Sequence, residues 1–300
     1  MTGVFLKRMM TAAVLPAILL GVNVSRAEAQ SCEPVVAERC DSARSGPVGS
    51  KPNRHAPNAA VKTIAFLGDS NTWSGGEDCS RPESWSHHVA KRLKAHYARS
   101  FARSGATICN VADTRVDTLE LTERLSDTNT LLAQAVRMAG AVERGEMPRP
   151  DIVFIAAGTN DCWFADRRPG LFDSAEMPAE TAALTHGSSI PPGASTLGGS
   201  VELLITQIRN SIPEARIVIV GIPLSTRTDA GTTRRAVDRL RAVARTRHAD
   251  FIAIDSDTII NPERERAGFE ATRDGVHTNI VGARRIADAV MKALAESNSE

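Results

Sequence analysis

The sequence predicts an α/β fold: a three-layer sandwich with a central, mostly parallel sheet between helices. Two patterns carry this. Four short apolar runs, Thr63 to Leu67 (TIAFL), Asp151 to Ala157 (DIVFIAA), Arg216 to Val220 (RIVIV) and Phe251 to Ile254 (FIAI), read as strands buried on both faces. Stretches with apolar residues at helical spacing separate them, and strands alternating with helices make βαβ units. Composition sets the bounds. A chain of 300 residues, 42% hydrophobic, 24% charged and of net charge +1 is not disordered, collagen-like or a many-span membrane protein. It is long enough to bury a sizeable core, and the near-zero charge argues against a nucleic-acid binder.

The elements follow in chain order. Lys7 and Arg8 precede an apolar run, Met9 to Val24, and Ala27-Glu28-Ala29 follows it. This reads as a secretory signal peptide, residues 1–29, cut before Gln30, and predicts a secreted or periplasmic protein. The run carries Pro16 and Gly21 and falls short of the roughly 20 residues that span a bilayer, so no stable membrane anchor is expected. Residues 30–60, rich in Pro, Ser, Gly, Ala and Arg, read as a flexible lead-in. The folded domain is expected over 61–300. After the first strand, Pro82 to Tyr97 reads as a helix with Trp85, Val89, Leu93 and Tyr97 on one face. A fifth strand falls near Ser100-Phe101-Ala102. Leu131 to Val142, Ser200 to Ile212, Thr232 to Arg247 and Val281 to Ala295 read as helices. Residues 165–197, rich in Pro and Gly, are too long for a simple connection and suggest a functional loop or lid.

In an open parallel sheet the ligand site lies beyond the carboxyl ends of the strands. Gly68-Asp69-Ser70 follows the first strand, and Gly158-Thr159-Asn160-Asp161 follows the strand at Asp151 to Ala157. Ser104-Gly105-Ala106-Thr107 lies between them, and Asp274-Gly275-Val276-His277 precedes the last helix. Each alone is a weak signal. Together they contain what nucleophilic acyl transfer needs. A serine hydroxyl becomes a nucleophile when a base takes its proton. Histidine is the usual general base, so His277 can take and return that proton, and Asp274 can hold its other ring nitrogen. The amides of Ser70 and Gly105 and the side chain of Asn160 are donors for an oxyanion.

These four segments resemble the blocks of the SGNH (GDSL) hydrolase family, and the likeness spans nearly all of residues 62–296. The resemblance implies a flavodoxin-like sandwich with a five-stranded sheet. It implies Ser70 as nucleophile, His277 as base oriented by Asp274, and Gly105 and Asn160 completing the oxyanion hole. No cofactor or metal is implied. Asn71-Thr72 stands where the family name has Leu. Arg103 stands where some secreted relatives carry a Cys, and by similarity to them a Cys79–Cys109 disulfide is expected. Cys32 and Cys40 are close enough in sequence to close a small loop. Family activities span carbohydrate esterases, lipases and thioesterases, so the fold does not choose the substrate.

Other residues have blander readings. Asp69 and Asp161 read as loop-holding carboxylates. His87 and His88, adjacent on a helix, lack metal-ligand geometry. Trp73 and Trp163 each follow a block by three residues and either offer stacking faces to substrate or simply pack.

The expected function is a secreted serine esterase acting on small acyl esters, including carbohydrate O-acetyl groups. Export, the full block set and the lack of an extended exposed apolar stretch favour it. A lipase or phospholipase is the alternative, with Leu171, Phe172, Met177 and Leu184 as acyl contacts in the 165–197 loop. A non-catalytic glycan-binding module is a third reading, opposed by the intact Ser70, Asn160 and His277. The expected partner is a small-molecule, glycan or lipid ester, and the sequence leaves the oligomeric state open.

Overall fold

A computed structural model describes residues 63–174, 177 and 181–297. The expected signal peptide, the lead-in and the Cys32–Cys40 loop lie outside the described residues. Five strands form one parallel sheet: β1 (Thr63–Gly68), β2 (Tyr97–Ser100), β3 (Ile152–Ala156), β4 (Arg216–Val220) and β5 (Asp250–Ile252), in the order β2-β1-β3-β4-β5. The chain runs outward one way from β1 to β2 and the other way from β3, so its topological switch lies between β1 and β3. In this flavodoxin-like order the crevice at the switch is where ligands bind.

Strand side chains alternate between faces. Ala65, Leu67, Val153, Ile155, Ile217 and Ile219 enter one core with α3 (Leu131–Glu143), α5 (Leu197–Ser211) and α6 (Ala230–Thr246). Ile64, Phe66, Ile152, Phe154, Val218 and Val220 enter the opposite core with α2 (Trp85–Arg92) and α8 (Ile280–Ser297). In the second core Phe66 stacks on Phe154, ring centroids 5.3 Å apart, and Trp85 meets both edge-on, a geometry that suits aromatic quadrupoles. Shorter helices α1 (Ser70–Trp73), α4 (Thr159–Trp163) and α7 (Pro262–Gly268) sit in the loops after β1, β3 and β5. Among the described residues no helix is long and apolar enough to cross a membrane.

Four expectations are corrected. The helix expected over Pro82 to Tyr97 stops at Arg92, because the chain turns at Lys94 (φ 52°) and Tyr97 opens β2. The fifth strand therefore lies at Tyr97–Ser100, earlier than expected. Pairing continues past it, with Phe101 N–H donating to Phe66 O and Arg103 N–H to Gly68 O. In the 165–197 loop the four proposed acyl contacts point inward. Leu171 is buried in the first core, Phe172 packs against it, and Met177 and Leu184 pack on a third cluster around Leu132 and Leu203.

The Cys79–Cys109 disulfide is the fourth correction. Cys79, Cys109 and Cys162 are free thiols. Cys79 packs in the core under α2 and α8, and Cys109 in the core under α3 and α5, on opposite faces of the sheet. Arg103 joins the two loops instead. Its guanidinium donates to Glu77 Oε1 at 2.8 Å and lies 4.5 Å from the Trp73 ring centroid. Burial pushes the Cys79 and Cys162 thiols up to about 12, and thiols held protonated are poor nucleophiles. The native protein is therefore expected to resist iodoacetamide at these positions. After denaturation without reductant, Cys79, Cys109 and Cys162 are all expected to alkylate. A Cys79–Cys109 peptide on non-reducing mapping would refute this arrangement.

Candidate active site

β1 ends at Gly68, where no side chain fits. A Cβ there would lie 2.4 Å from Thr72 Oγ1 and 2.6 Å from Ala156 O. The amide of Gln134, reaching in from α3, accepts from Gly68 N–H at 2.8 Å and donates to Gly68 O at 2.9 Å. The strand end is thus pinned from the helix side and from β3. Asp69 then caps α1, accepting from Asn71 N–H at 3.0 Å. That places Ser70 at the first helical position, where the amide has no intrahelical acceptor, and none of the described residues supplies one.

His277 comes from the loop before α8, 207 residues away in sequence. Its Nε2 lies 3.0 Å from Ser70 Oγ, and its Nδ1 lies 2.6 Å from Asp274 Oδ2. A carboxylate can only accept, so Nδ1 carries the proton and Nε2 is left to accept from the serine. Asp274 Oδ1 also accepts from the N–H groups of Val276 and His277. Partial burial works against the charge of Asp274, but these hydrogen bonds and His277 hold its carboxyl below the ordinary range.

The donor side is assembled around α4. Asn160 Nδ2 donates one hydrogen to Ala106 O at 2.8 Å, leaving its second. Buried Asp161 accepts from the N–H groups of Ile108 and Cys109, each at 2.9 Å. These bonds hold the segment after Gly105 against the end of β3. Gly105 has φ 74°, and a Cβ on it would meet the Arg124–Leu125 peptide at 2.6 Å. Only glycine suits both the backbone and the space. Its N–H has no acceptor among the described residues. Every site residue expected from sequence, Ser70, His277, Asp274, Gly105 and Asn160, thus stands in a strand-end loop on the carboxyl side of the sheet.

Several contributors were not expected. Asn71 Oδ1 accepts from Thr278 N–H at 3.0 Å, tying the Ser70 loop to the His277 loop. Buried Glu265 accepts from Ala271 N–H, Thr272 N–H and Thr272 Oγ1, and Thr272 Oγ1 accepts from Gly275 N–H. No local pattern marks these residues. Their partners are backbone groups of other loops. The two tryptophans each carry a cation: Arg103 lies over Trp73, and Arg227 lies 5.0 Å from the centroid of Trp163. His87 Nδ1 meets Cys79 O and His88 Nε2 meets Pro82 O. Among the described residues no group of three His, Cys, Asp or Glu is placed to hold a metal.

The fold and this cluster define the class of protein: a carboxylic ester hydrolase built on a flavodoxin-like sandwich. The chain belongs to the GDSL-like lipase/acylhydrolase family, whose model matches residues 66–285. It is similar in fold to a GDSL-like lipase from Bacteroides ovatus, at TM-score 0.50 and 18% identity, covering 79% of this chain and 100% of that one. A GDSL-like lipase from Bacteroides uniformis gives TM-score 0.50 and 16% identity over 79% and 96% of the two chains. A protein from Lactobacillus plantarum gives 0.52 and 15% over 80% and 99%. None of the curated proteins matches the sequence.

Asp69 carries a testable consequence. Burial raises its carboxyl from 3.8 to about 6, against the pull of Asn71 N–H and His277. The folded state then binds the proton more tightly than the unfolded state. Stability from this group is present below about pH 4 and is lost as pH rises through 6. At 1.36 kcal/mol per unit the loss is about 3 kcal/mol. Asp69→Asn keeps an acceptor for Asn71 and has no charge to bury. Urea unfolding is expected to show the variant gaining on wild type by up to that amount between pH 4 and 7. A constant difference across that range would refute the assignment.

Proposed function

We propose that this protein is a secreted serine esterase for small acyl esters, including O-acetyl groups on carbohydrate. The observation that carries the reading is the unbroken line Asp274–His277–Ser70, with free donors at Ser70 N, Gly105 N and Asn160 Nδ2. In this reading Ser70 Oγ attacks the ester carbonyl as its proton passes to His277 Nε2. The imidazolium faces Asp274, which offsets the new charge. The tetrahedral oxyanion takes hydrogen bonds from the three donors. Collapse expels the alcohol, which leaves with the proton from His277, and an acyl-Ser70 ester remains. Water then repeats the sequence: His277 takes its proton, the tetrahedral adduct collapses, and the proton returns to Ser70 Oγ as the acid leaves.

The half-open setting of the site supports a carbohydrate-borne ester. The His277 side chain is 31% exposed, so a polymer has access. One observation favours the longer-chain alternative. Contrary to expectation from the sequence, Leu119, Leu121 and Leu125 are exposed in one loop, and the Arg124–Leu125 peptide lies against Gly105. An acyl chain leaving the oxyanion hole on that side would meet leucine.

Nitrophenyl esters from acetate to palmitate separate the two. Wild type is expected to prefer acetate steeply. Ser70→Ala is expected to abolish turnover, and Asn160→Ala to lower kcat about 10²–10³-fold, the usual loss for one oxyanion donor. A palmitate preference would select the lipase reading, and full activity in Ser70→Ala would refute both. Export is proposed from the N-terminal pattern, so Edman sequencing of secreted protein is expected to begin at Gln30. Material beginning at Met1 would refute cleavage.

A further inference from the structure

Three arginines stand around the proposed site on three different loops, all of them exposed. Arg273 immediately precedes Asp274. Its Nη2 donates to Ser74 Oγ at 2.9 Å, and Ser74 Oγ in turn donates to Ser70 O at 2.8 Å. Arg227 sits over Trp163, which belongs to the same short helix as Asn160. The neighbouring Thr226 N–H donates to Gly275 O at 2.9 Å, so this loop touches the Asp274–His277 turn. The backbone of Arg124 lies against Gly105 and is held there by Asn129 Nδ2, which donates to Arg124 O at 2.9 Å.

None of the three guanidinium groups has a carboxylate within ion-pair distance among the described residues. The carboxylates closest to the catalytic line are already committed. Asp274 is paired with His277, while Asp69 and Asp161 are buried. What sets Arg227 and Arg273 apart is their place: both stand on loops that meet the Asp274–His277 turn, Arg273 as its neighbour in sequence and Arg227 through the Thr226 N–H to Gly275 O bond.

Two of these cations are also held in place. Arg227 rests on an indole face, and Arg273 spends one N–H on Ser74, leaving the rest of its donor fork free. A fixed planar guanidinium is suited to bidentate capture of a carboxylate. An acetyl or other small acyl group carries no charge, so the anion must lie on the alcohol side of the ester.

We propose that the alcohol part of the substrate is an acidic glycan, an acyl ester on a uronate-bearing sugar polymer, whose carboxylates are bound by Arg227 and Arg273 on either side of the Asp274–His277 turn. This inference rests on the esterase reading and deepens it. A polymer of acidic sugars places carboxylates at regular intervals on both sides of the acylated ring, which suits cations on two sides of one nucleophile. Arg124, beside Gly105, adds to the field without a contact of its own.

The test compares kcat/KM on acetylated polygalacturonate and acetylated glucomannan for wild type, Arg227→Gln, Arg273→Gln and the double variant. Wild type is expected to favour the acidic polymer at least tenfold, and 0.5 M NaCl to erase most of that preference, since screening at that ionic strength acts within a few ångströms. Each single variant is expected to lower the acidic-to-neutral ratio several-fold, and the double variant to bring it near one. Equal rates on the two polymers in wild type, or an undiminished ratio in the double variant, would overturn the proposal. So would a preference for anionic phospholipid vesicles over both glycans. Binding is read separately in Ser70→Ala, by affinity electrophoresis in unacetylated polygalacturonate. Retardation that the added Arg227→Gln and Arg273→Gln changes abolish supports the anion site even if turnover fails, whereas no retardation overturns it. Failure of the esterase reading shows instead as loss of turnover on every ester with retardation intact.

Discussion

The close approach at Gly68 is the constraint on which the site depends. At that point β1, β3, α1 and α3 come within contact of one backbone unit. Thr72 and Ala156 occupy the space where a side chain would stand, and Gln134 satisfies both polar groups of the residue. A buried amide pair unmet by hydrogen bonds would cost on the order of several kcal/mol, so Gln134 does for Gly68 what a further strand would otherwise do. The direction in which the chain leaves β1 is thereby set, and with it the first turn of α1. Ser70 stands on that turn, and its free amide is a consequence of being first in the helix.

Charge around the site is arranged in two depths. Asp69 and Asp161 are fully buried and accept backbone N–H groups, and burial raises both carboxyls. They hold loops at an electrostatic cost. Asp274 lies nearer solvent, with enough hydrogen bonds to keep it ionised. Only the outer carboxylate faces His277 through a direct hydrogen bond. An aspartate that stays charged beside the imidazole is what a proton-accepting histidine requires, whereas a carboxylate that protonates near pH 6 would serve poorly in that place.

The fold was readable from sequence where burial is complete on both faces. β1, β3 and β4 are apolar runs because Ile64 to Leu67, Ile152 to Ala156 and Ile217 to Val220 all send their side chains into one core or the other, and each lies within a residue or two of its expected place. β2 was misplaced because it is an edge strand. Tyr97-Ala98-Arg99-Ser100 is only partly buried and carries a charge, so it lacks the apolar signature, and Tyr97 happened to continue the helical spacing of Trp85, Val89 and Leu93. The site was readable because each block is local: a glycine, a polar residue and a strand end within a few positions. The supports were not. Gln134, Asn71 and Glu265 act on backbone groups 66, 207 and 6–7 residues away, and nothing in their own neighbourhood announces a partner. The cysteines show the opposite failure. A resemblance in spacing placed Cys79 and Cys109 together, yet the strand between their loops sends them to different faces of the sheet.

Arg103 shows why the missing disulfide leaves no gap. The loop after α1 has to be held near the segment after β2, because Trp73 closes α1 and Gly105 follows two residues after Arg103. Here the tie is an ion pair, an indole face and a backbone hydrogen bond, Ser100 N–H donating to Glu77 O at 2.7 Å. The Arg103 guanidinium is nearly buried, while Glu77 is about half exposed. An ion pair at such a boundary is screened less than one on open surface, and the contact with the Trp73 ring does not depend on the Glu77 carboxylate. The tie is therefore spread over three kinds of interaction, none covalent. It holds the Gly105 loop against the Ser70 loop in a reducing as well as an oxidising medium. The geometry of Ser70 and Gly105 is in this way independent of the redox state of the compartment in which the chain folds.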